Sequence, residues 1–176
     1  MKDRLGKALM RTRIKTVLPH IQGRLLDVGC GTNELVRAYG GPGTGVDVFP
    51  WEGVDLVVED SAELPFEDGS FDTVTVIAAL NHIPERDRLL RELHRLLSAQ
   101  GRLVVTMIPP TISRVWHFLR SPWDVDQNER GMVEGEVYGI SAGAMDAMLA
   151  AAGFERVHAS RFMLGFNRLS TYRRTG

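Results

Sequence analysis

A short apolar run, Arg24 to Val28, meets two glycines one residue apart in Leu25-Leu26-Asp27-Val28-Gly29-Cys30-Gly31, and a helical pattern with Leu35, Val36 and Ala38 follows at once. Strand, glycine turn and helix in immediate succession form the opening unit of a parallel α/β sheet, whose strands are short and apolar because both faces are covered. The glycines let the backbone turn tightly and let a ligand approach the helix N-terminus without a side chain in the way. A dinucleotide fingerprint needs a further glycine where Glu34 stands, and a phosphate-cradling loop needs Gly-Lys-Ser or Gly-Lys-Thr, which is absent. Asp27 and Glu34 instead flank the place a pyrophosphate would occupy. Two carboxylates there suit a ligand carrying ammonium and sulfonium groups.

The rest of the chain repeats the strand and helix alternation. Thr44 to Val48, Asp55 to Val58 and Phe71 to Ile77 read as strands, the last rich in β-branched residues. Pro84 opens a helix with Leu89, Leu90, Leu93, Leu96 and Leu97 on one face and Arg88, Arg91, Glu92 and Arg95 on the other, closed by Gly101 as a C-cap. Arg102 to Ile108 is a fifth strand, Ser141 to Ala152 a helix capped by Gly153, and Phe154 to Ser160 and Leu164 to Tyr172 close the sheet. Only Phe49 to Leu56 separates the second and third strands, too short and too rich in Pro50 and Gly53 for a helix. Ahead of all this, Met1 to Leu18 spaces Leu5, Ala8, Leu9, Ile14 and Val17 helically among Lys and Arg, until Pro19 stops it. That basic amphipathic helix either packs on the sheet with its charges solvated or reaches a membrane or substrate.

The 176 residues suit one domain, 1–176, in which 109–139 breaks the rhythm with Trp116, Trp123, Tyr138 and several acidic residues as a lid-like insertion. No partner class follows from the net charge of -1 alone, but the strongly basic surface expected of a nucleic-acid enzyme is not evident, so no nucleic-acid partner is expected. The single cysteine, Cys30, cannot form an internal disulfide, no apolar stretch is long enough to span a bilayer, and the first residues do not read as a signal peptide; the expected location is cytoplasmic. No metal-ligand cluster is evident in the sequence.

Leu-Leu-Asp-Val-Gly-Cys-Gly resembles the first motif of class I S-adenosylmethionine-dependent methyltransferases, and the later motifs follow in the order of that family over roughly Arg24 to Ile108. The resemblance implies an α/β Rossmann-like sandwich, a mostly parallel seven-stranded sheet with helices on both faces, and S-adenosylmethionine as cofactor. It implies cofactor contacts from Asp27, Gly29, Cys30, Gly31 and Asn33 around the turn. Asp47, with Val48 beside it, would accept from the ribose hydroxyls, and Asp60, Ser61 and Ala62 would meet the adenine. Ile77, Ala78 and His82, in Ile77-Ala78-Ala79-Leu80-Asn81-His82-Ile83, would touch the methionine portion and reach the acceptor. Asn33 departs from the family pattern, standing where its first motif ends in glycine. The short second connection is the other departure, and from it Phe49 or Trp51 would lie against either the adenine or the core.

Transfer from a sulfonium needs mainly an acceptor held in line and, for a hydroxyl or acidic carbon, deprotonated. His82 is the candidate base, with a structural histidine as the other reading; Trp116, His117, Trp123 and Tyr138 are candidate substrate-lining residues. The acceptor class left by these exclusions is a small molecule or a lipid-like one. A catalytically silent binding subunit, a monomer or homodimer, and a peripheral membrane enzyme all remain open.

Overall fold

A computed structural model describes residues 4–109, 137 and 139–175. Its elements in chain order are α1 (Arg4–Val17), β1 (Leu25–Val28), α2 (Glu34–Tyr39), β2 (Gly43–Asp47), β3 (Leu56–Val57), β4 (Phe71–Ile77), α3 (Arg86–Leu96), β5 (Leu97–Met107), α4 (Ala142–Ala151), β6 (Phe154–Phe162) and β7 (Asn167–Arg174). The strands form one seven-stranded sheet in the order β3-β2-β1-β4-β5-β7-β6. All neighbours up to β5 are parallel, and β7 runs antiparallel to both β5 and β6. The order turns back at β1, with β2 on one side and β4 on the other, and in such sheets ligands bind beyond the carboxyl ends at that reversal.

Alternation along the strands divides the core in two. Leu26, Val28, Val74, Val76, Leu103 and Val105 pack with the α3 stripe Leu89, Leu90, Leu93 and Leu96 and with Met145 and Leu149 of α4. On the opposite face Val104 and Leu169 pack with Ile14 and Val17 of α1 and Leu35 of α2. Each fully buried leucine contributes about 1.5–3 kcal/mol relative to an exposed one, so these two stripes hold the helices to the sheet. Ser141 caps α4, its hydroxyl accepting from Ala144 N at 3.3 Å.

Several boundaries differ from the sequence expectation, among them the start of α3 at Arg86 rather than Pro84 and the end of β6 at Phe162 rather than Ser160. Gly101 does not close α3: the helix ends at Leu96, and Leu97 enters β5 directly in extended conformation. Gly69 N donates to Arg95 O at 2.9 Å, so a free helix-end carbonyl is met from outside and no glycine cap is needed. The register of β5 against β4 shifts between Phe71 and Thr73, and a Cβ on Gly101 would lie 3.0 Å from Ser98 O. Gly101 therefore serves a tight approach inside an irregular strand. The third strand shrinks to Leu56–Val57, and β7 starts at Asn167 rather than Leu164.

Candidate cofactor site

The turn after β1 carries the two glycines in left-handed conformations, φ 71° at Gly29 and 53° at Gly31, which residues with a Cβ adopt only with strain. A Cβ on Gly29 would stand 2.6 Å from the Cβ of Ala79, so this glycine lets the end of β4 close on the turn. A Cβ on Gly31 would meet nothing within 4 Å. One glycine is required by the protein's own packing; the other borders open space.

Asp47, the last residue of β2, reaches that turn. Its Oδ2 accepts from Gly31 N at 2.9 Å and its Oδ1 from Phe49 N at 3.0 Å. A carboxylate offers about four lone-pair sites, so two such bonds leave room for two further donors. Asp27 is buried in β1, beside Thr75 of β4 in register, with Thr75 Oγ1 2.6 Å from Asp27 Oδ1. Burial, with the nearby Asp47 charge adding to it, pushes the Asp27 carboxyl up to about 7 against the opposing Thr75 hydrogen bond. Thr75 Oγ1 also lies 3.4 Å from Leu26 O. A hydroxyl has a single proton, so a neutral Asp27 donating to Thr75 lets Thr75 donate to Leu26, whereas an ionised Asp27 draws the Thr75 proton to itself.

Cys30 is half-buried, and burial together with Asp27, Asp47 and Asp55 pushes its thiol up to about 12. At neutral pH it stays protonated, which removes a nucleophilic role. Asn33 is buried with φ 59°. Its amide does not face an open turn: Nδ2 donates to Gly53 O at 3.0 Å and to Asp55 Oδ2 at 2.8 Å, which also accepts from Gly45 N at 2.8 Å.

At the next strand ends, Asp60 Oδ1 accepts from Ala62 N at 2.8 Å, shaping the Asp60-Ser61-Ala62 turn, and its Oδ2 lies 3.2 Å from Arg88 Nη1. Val48 is exposed, and Phe49 and Trp51 hold their rings 4.4 Å apart on the loop beyond it. Beyond Ile77, Ala78 takes φ 55°, a strained conformation for a residue with a Cβ, with its N–H on Thr106 O at 3.2 Å. A single 3-10 turn, Leu80–His82, follows. Arg86 braces it through Nε to Leu80 O at 3.1 Å and Nη2 to Asn81 O at 3.0 Å. His82 ends the turn half-buried, its N–H on Ala79 O at 2.8 Å.

The structure thus brings Asp27, Gly29, Gly31 and Asp47 together and carries Asp60 and the Ala78–His82 turn on neighbouring strand ends of the same edge. The expected lining residues Trp116, His117, Trp123 and Tyr138 lie outside the described residues, as does most of 109–139. Sequence reasoning missed Thr75, Asp55 and Gly45. The pairing of Thr75 with Asp27 follows once β4 is laid beside β1, whereas Gly45 and Asp55 carry no signal outside the folded chain.

A parallel sheet reversing at β1, with an acidic residue ending β2 and bonded to a glycine turn after β1, defines a nucleoside-binding α/β fold of the methyltransferase type. Residues 26–105 match the family described as "Methyltransferase domain". A demethylmenaquinone methyltransferase of Thermus thermophilus is 31% identical over 118 residues, 57% of this chain and 54% of that protein. Among solved structures, a putative methyltransferase in complex with the Haloferax volcanii Trm112 methyltransferase activator superposes with TM-score 0.75 at 16% identity, covering 97% of this chain and 93% of that one. The 1,6-didemethyltoxoflavin-N1-methyltransferase of Burkholderia thailandensis, with bound S-adenosylhomocysteine, gives TM-score 0.70 at 18% identity, covering 96% and 79%. Residues 26–105, a little under half of the chain, carry the methyltransferase-domain signature, and the sheet around them has the fold of solved S-adenosylmethionine-dependent methyltransferases. It spans about half the length of the Thermus relative.

The site residues fit that cofactor. The space beside Gly31 is open, Asp47 keeps accepting capacity for two hydroxyls, and a ligand whose ammonium and sulfonium outweigh its carboxylate suits Asp47 and favours the ionised form of Asp27.

Proposed function

We propose that the chain transfers a methyl group to a small-molecule or lipid-like acceptor by direct in-line displacement. The observation that carries this reading is Asp47, which joins the end of β2 to the Gly31 amide and retains accepting capacity beside the open space there. When bound, S-adenosylmethionine supplies a methyl group on a sulfonium, a leaving group that needs no protonation. Asp47 accepts from the ribose hydroxyls, and Asp60, Ser61 and Ala62 meet the adenine. Asp27 and the Gly29, Cys30 and Gly31 backbone lie against the methionine portion. Val48 lies beside Asp47 against the cofactor, and Asn33 acts from behind by tying the turn to the β2–β3 loop. Ile77, Ala78 and His82 face the acceptor, where the His82 imidazole takes a proton from a hydroxyl or acidic carbon. The quinone-precursor substrate in the name of the Thermus relative supports a ring or lipid-like acceptor here.

Calorimetric titration of S-adenosylmethionine and S-adenosylhomocysteine into the parent and Asp47→Ala tests cofactor and site together. Saturable binding to the parent, weakened at least about a hundredfold in the variant, supports the reading. No binding to the parent sinks it.

A further inference from the structure

The hairpin joining β6 to β7 ends in an apolar tip that the described residues leave uncovered: Leu164 is 96% exposed and Phe166 52%. Met163 and Leu164 both sit at positive φ, 51° and 56°, where an L residue is strained. Two consecutive strained residues hold Leu164 outward. Because β5 and β6 each pair antiparallel with β7, they run in the same sense, and the tip lies beyond the carboxyl edge of the sheet, where the cofactor turn also lies. Arg168 pairs with Met107, the last residue of β5, and directly opposes Arg161 across the hairpin. Like charges facing one another on adjacent strands repel, and neither guanidinium has a partner among the described residues.

Arg168 pairs with Met107, which packs with Tyr172 against α3 and α4, so Arg161 and Arg168 lie on the sheet face opposite α1, and the tip carries this pair of cations itself.

We propose that this hairpin tip docks on an anionic bilayer, with Leu164 and Phe166 entering the boundary of the acyl chains and Arg161 and Arg168 meeting lipid phosphates. Two protruding side chains fall short of the roughly 800 Å² per partner that a stable protein interface buries, whereas an apolar hairpin tip flanked by two cations matches an interfacial anchor. Lipid phosphates between Arg161 and Arg168 relieve their repulsion. The docking stands on these residues alone; that it presents the crevice to an acceptor dissolved in lipid rests on the methyltransferase reading.

Co-sedimentation of the full chain with vesicles of phosphatidylcholine plus phosphatidylglycerol, and with phosphatidylcholine alone, tests it. Leu164→Asp removes no packing, since the side chain is uncovered, and Arg161→Glu reverses one charge. The expected result is binding to the mixed vesicles only, weakened by salt and reduced about tenfold or more in each variant, with S-adenosylmethionine titrations unchanged. Three results overturn the proposal: no sedimentation with the mixed vesicles, sedimentation that both variants retain, or a parent dimer that Leu164→Asp dissociates without any vesicle binding. Vesicle binding by a parent that does not bind S-adenosylmethionine leaves the docking standing and removes the methyltransferase reading.

Discussion

Substituting Asp27 by Asn isolates a pH dependence that the fold imposes on a single buried carboxyl. Asp27 is 3% exposed, has Thr75 as its side-chain partner and feels the Asp47 charge, so its carboxyl is pushed up to about 7. In the unfolded chain the same group titrates near 3.9, as aspartates do. Between those two values the unfolded chain has released the proton that the folded chain still holds, so stability falls as pH rises. At about 1.4 kcal/mol per unit, the fall between pH 5 and pH 8 is about 3 kcal/mol. His20 opposes this: burial, with His158 and Arg102, holds its imidazole below the usual value, so its contribution grows as pH rises through about 6.5. Glu92 is held low, chiefly by its Arg95 hydrogen bonds, and its contribution is lost only as pH falls below the usual carboxylate range. Both act alike in parent and variant, so the informative quantity is the difference between them. Urea midpoints at pH 5, 6, 7 and 8 measure it. Asp27→Asn keeps an acceptor for Thr75 and carries no proton to lose, so the parent's advantage over it should shrink by about 3 kcal/mol across the series. A constant difference, or one that moves in the parent's favour, refutes the account of Asp27.

Other consequences are separable. On the proposed reading, a cationic ligand beside Asp27 favours its ionised form, so S-adenosylmethionine binding at pH 7 should release about half a proton; calorimetry in buffers of different ionisation enthalpy reads this, and Asp27→Asn should abolish it. Gly29→Ala meets both a positive φ and the Ala79 Cβ at 2.6 Å, whereas Gly31→Ala meets only the φ. Thermal unfolding should therefore show Gly29→Ala the less stable, by about 2 kcal/mol or more, while Gly31→Ala stays folded and loses cofactor binding. Arg95 donates to Leu64 O, Phe66 O, Asp68 and Glu92, tying the segment after the Asp60 turn to α3. With that side chain about a third exposed, Arg95→Met should lower stability by about 1–2 kcal/mol and raise the Kd for S-adenosylmethionine severalfold; an unchanged Kd would separate the loop from the site.

What the sequence made legible is what periodicity and punctuation encode. Phe71 to Ile77 reads as a strand and is one, because β-branched residues run unbroken from Thr73 to Ile77, up to the Ala78 turn. The α3 stripe shows in four leucines at helical spacing. The boundary after it was hidden because Leu97 satisfies two patterns at once, extending that stripe and pairing with Phe71 in the sheet. Gly101 looked like the stop because glycine is the commonest helix end, while the bond that meets the helix carbonyl comes from Gly69, distant in sequence. At the hairpin, Leu164 reads as the start of the last strand, but its positive φ, next to that of Met163, makes it part of the turn, and the strand starts at Asn167.

The two departures from the family pattern prove to be one arrangement. In sequence, Asn33 in place of glycine and the short 49–56 connection stand apart and suggest nothing about each other. In the structure, Asn33 Nδ2 donates to Gly53 O inside that connection and to Asp55 at its end. A Cβ on Gly45 would lie 2.0 Å from Asn33 Oδ1, so the asparagine occupies the space that a side chain on β2 would otherwise take. A helix between β2 and β3 would hold that edge by burying an apolar face. Here a buried amide and the Asp55 carboxylate, which also accepts from Gly45 N, hold it by hydrogen bonds. Asn33, Gly45 and Asp55 are therefore coupled: losing the side chain of Asn33 or Asp55 leaves buried polar groups unmet, and adding one at Gly45 drives into Asn33. That dependence is invisible to periodicity, because it joins residues through contact rather than spacing, and it explains why an asparagine side chain is compatible with a cofactor turn whose neighbouring Gly31 stays open.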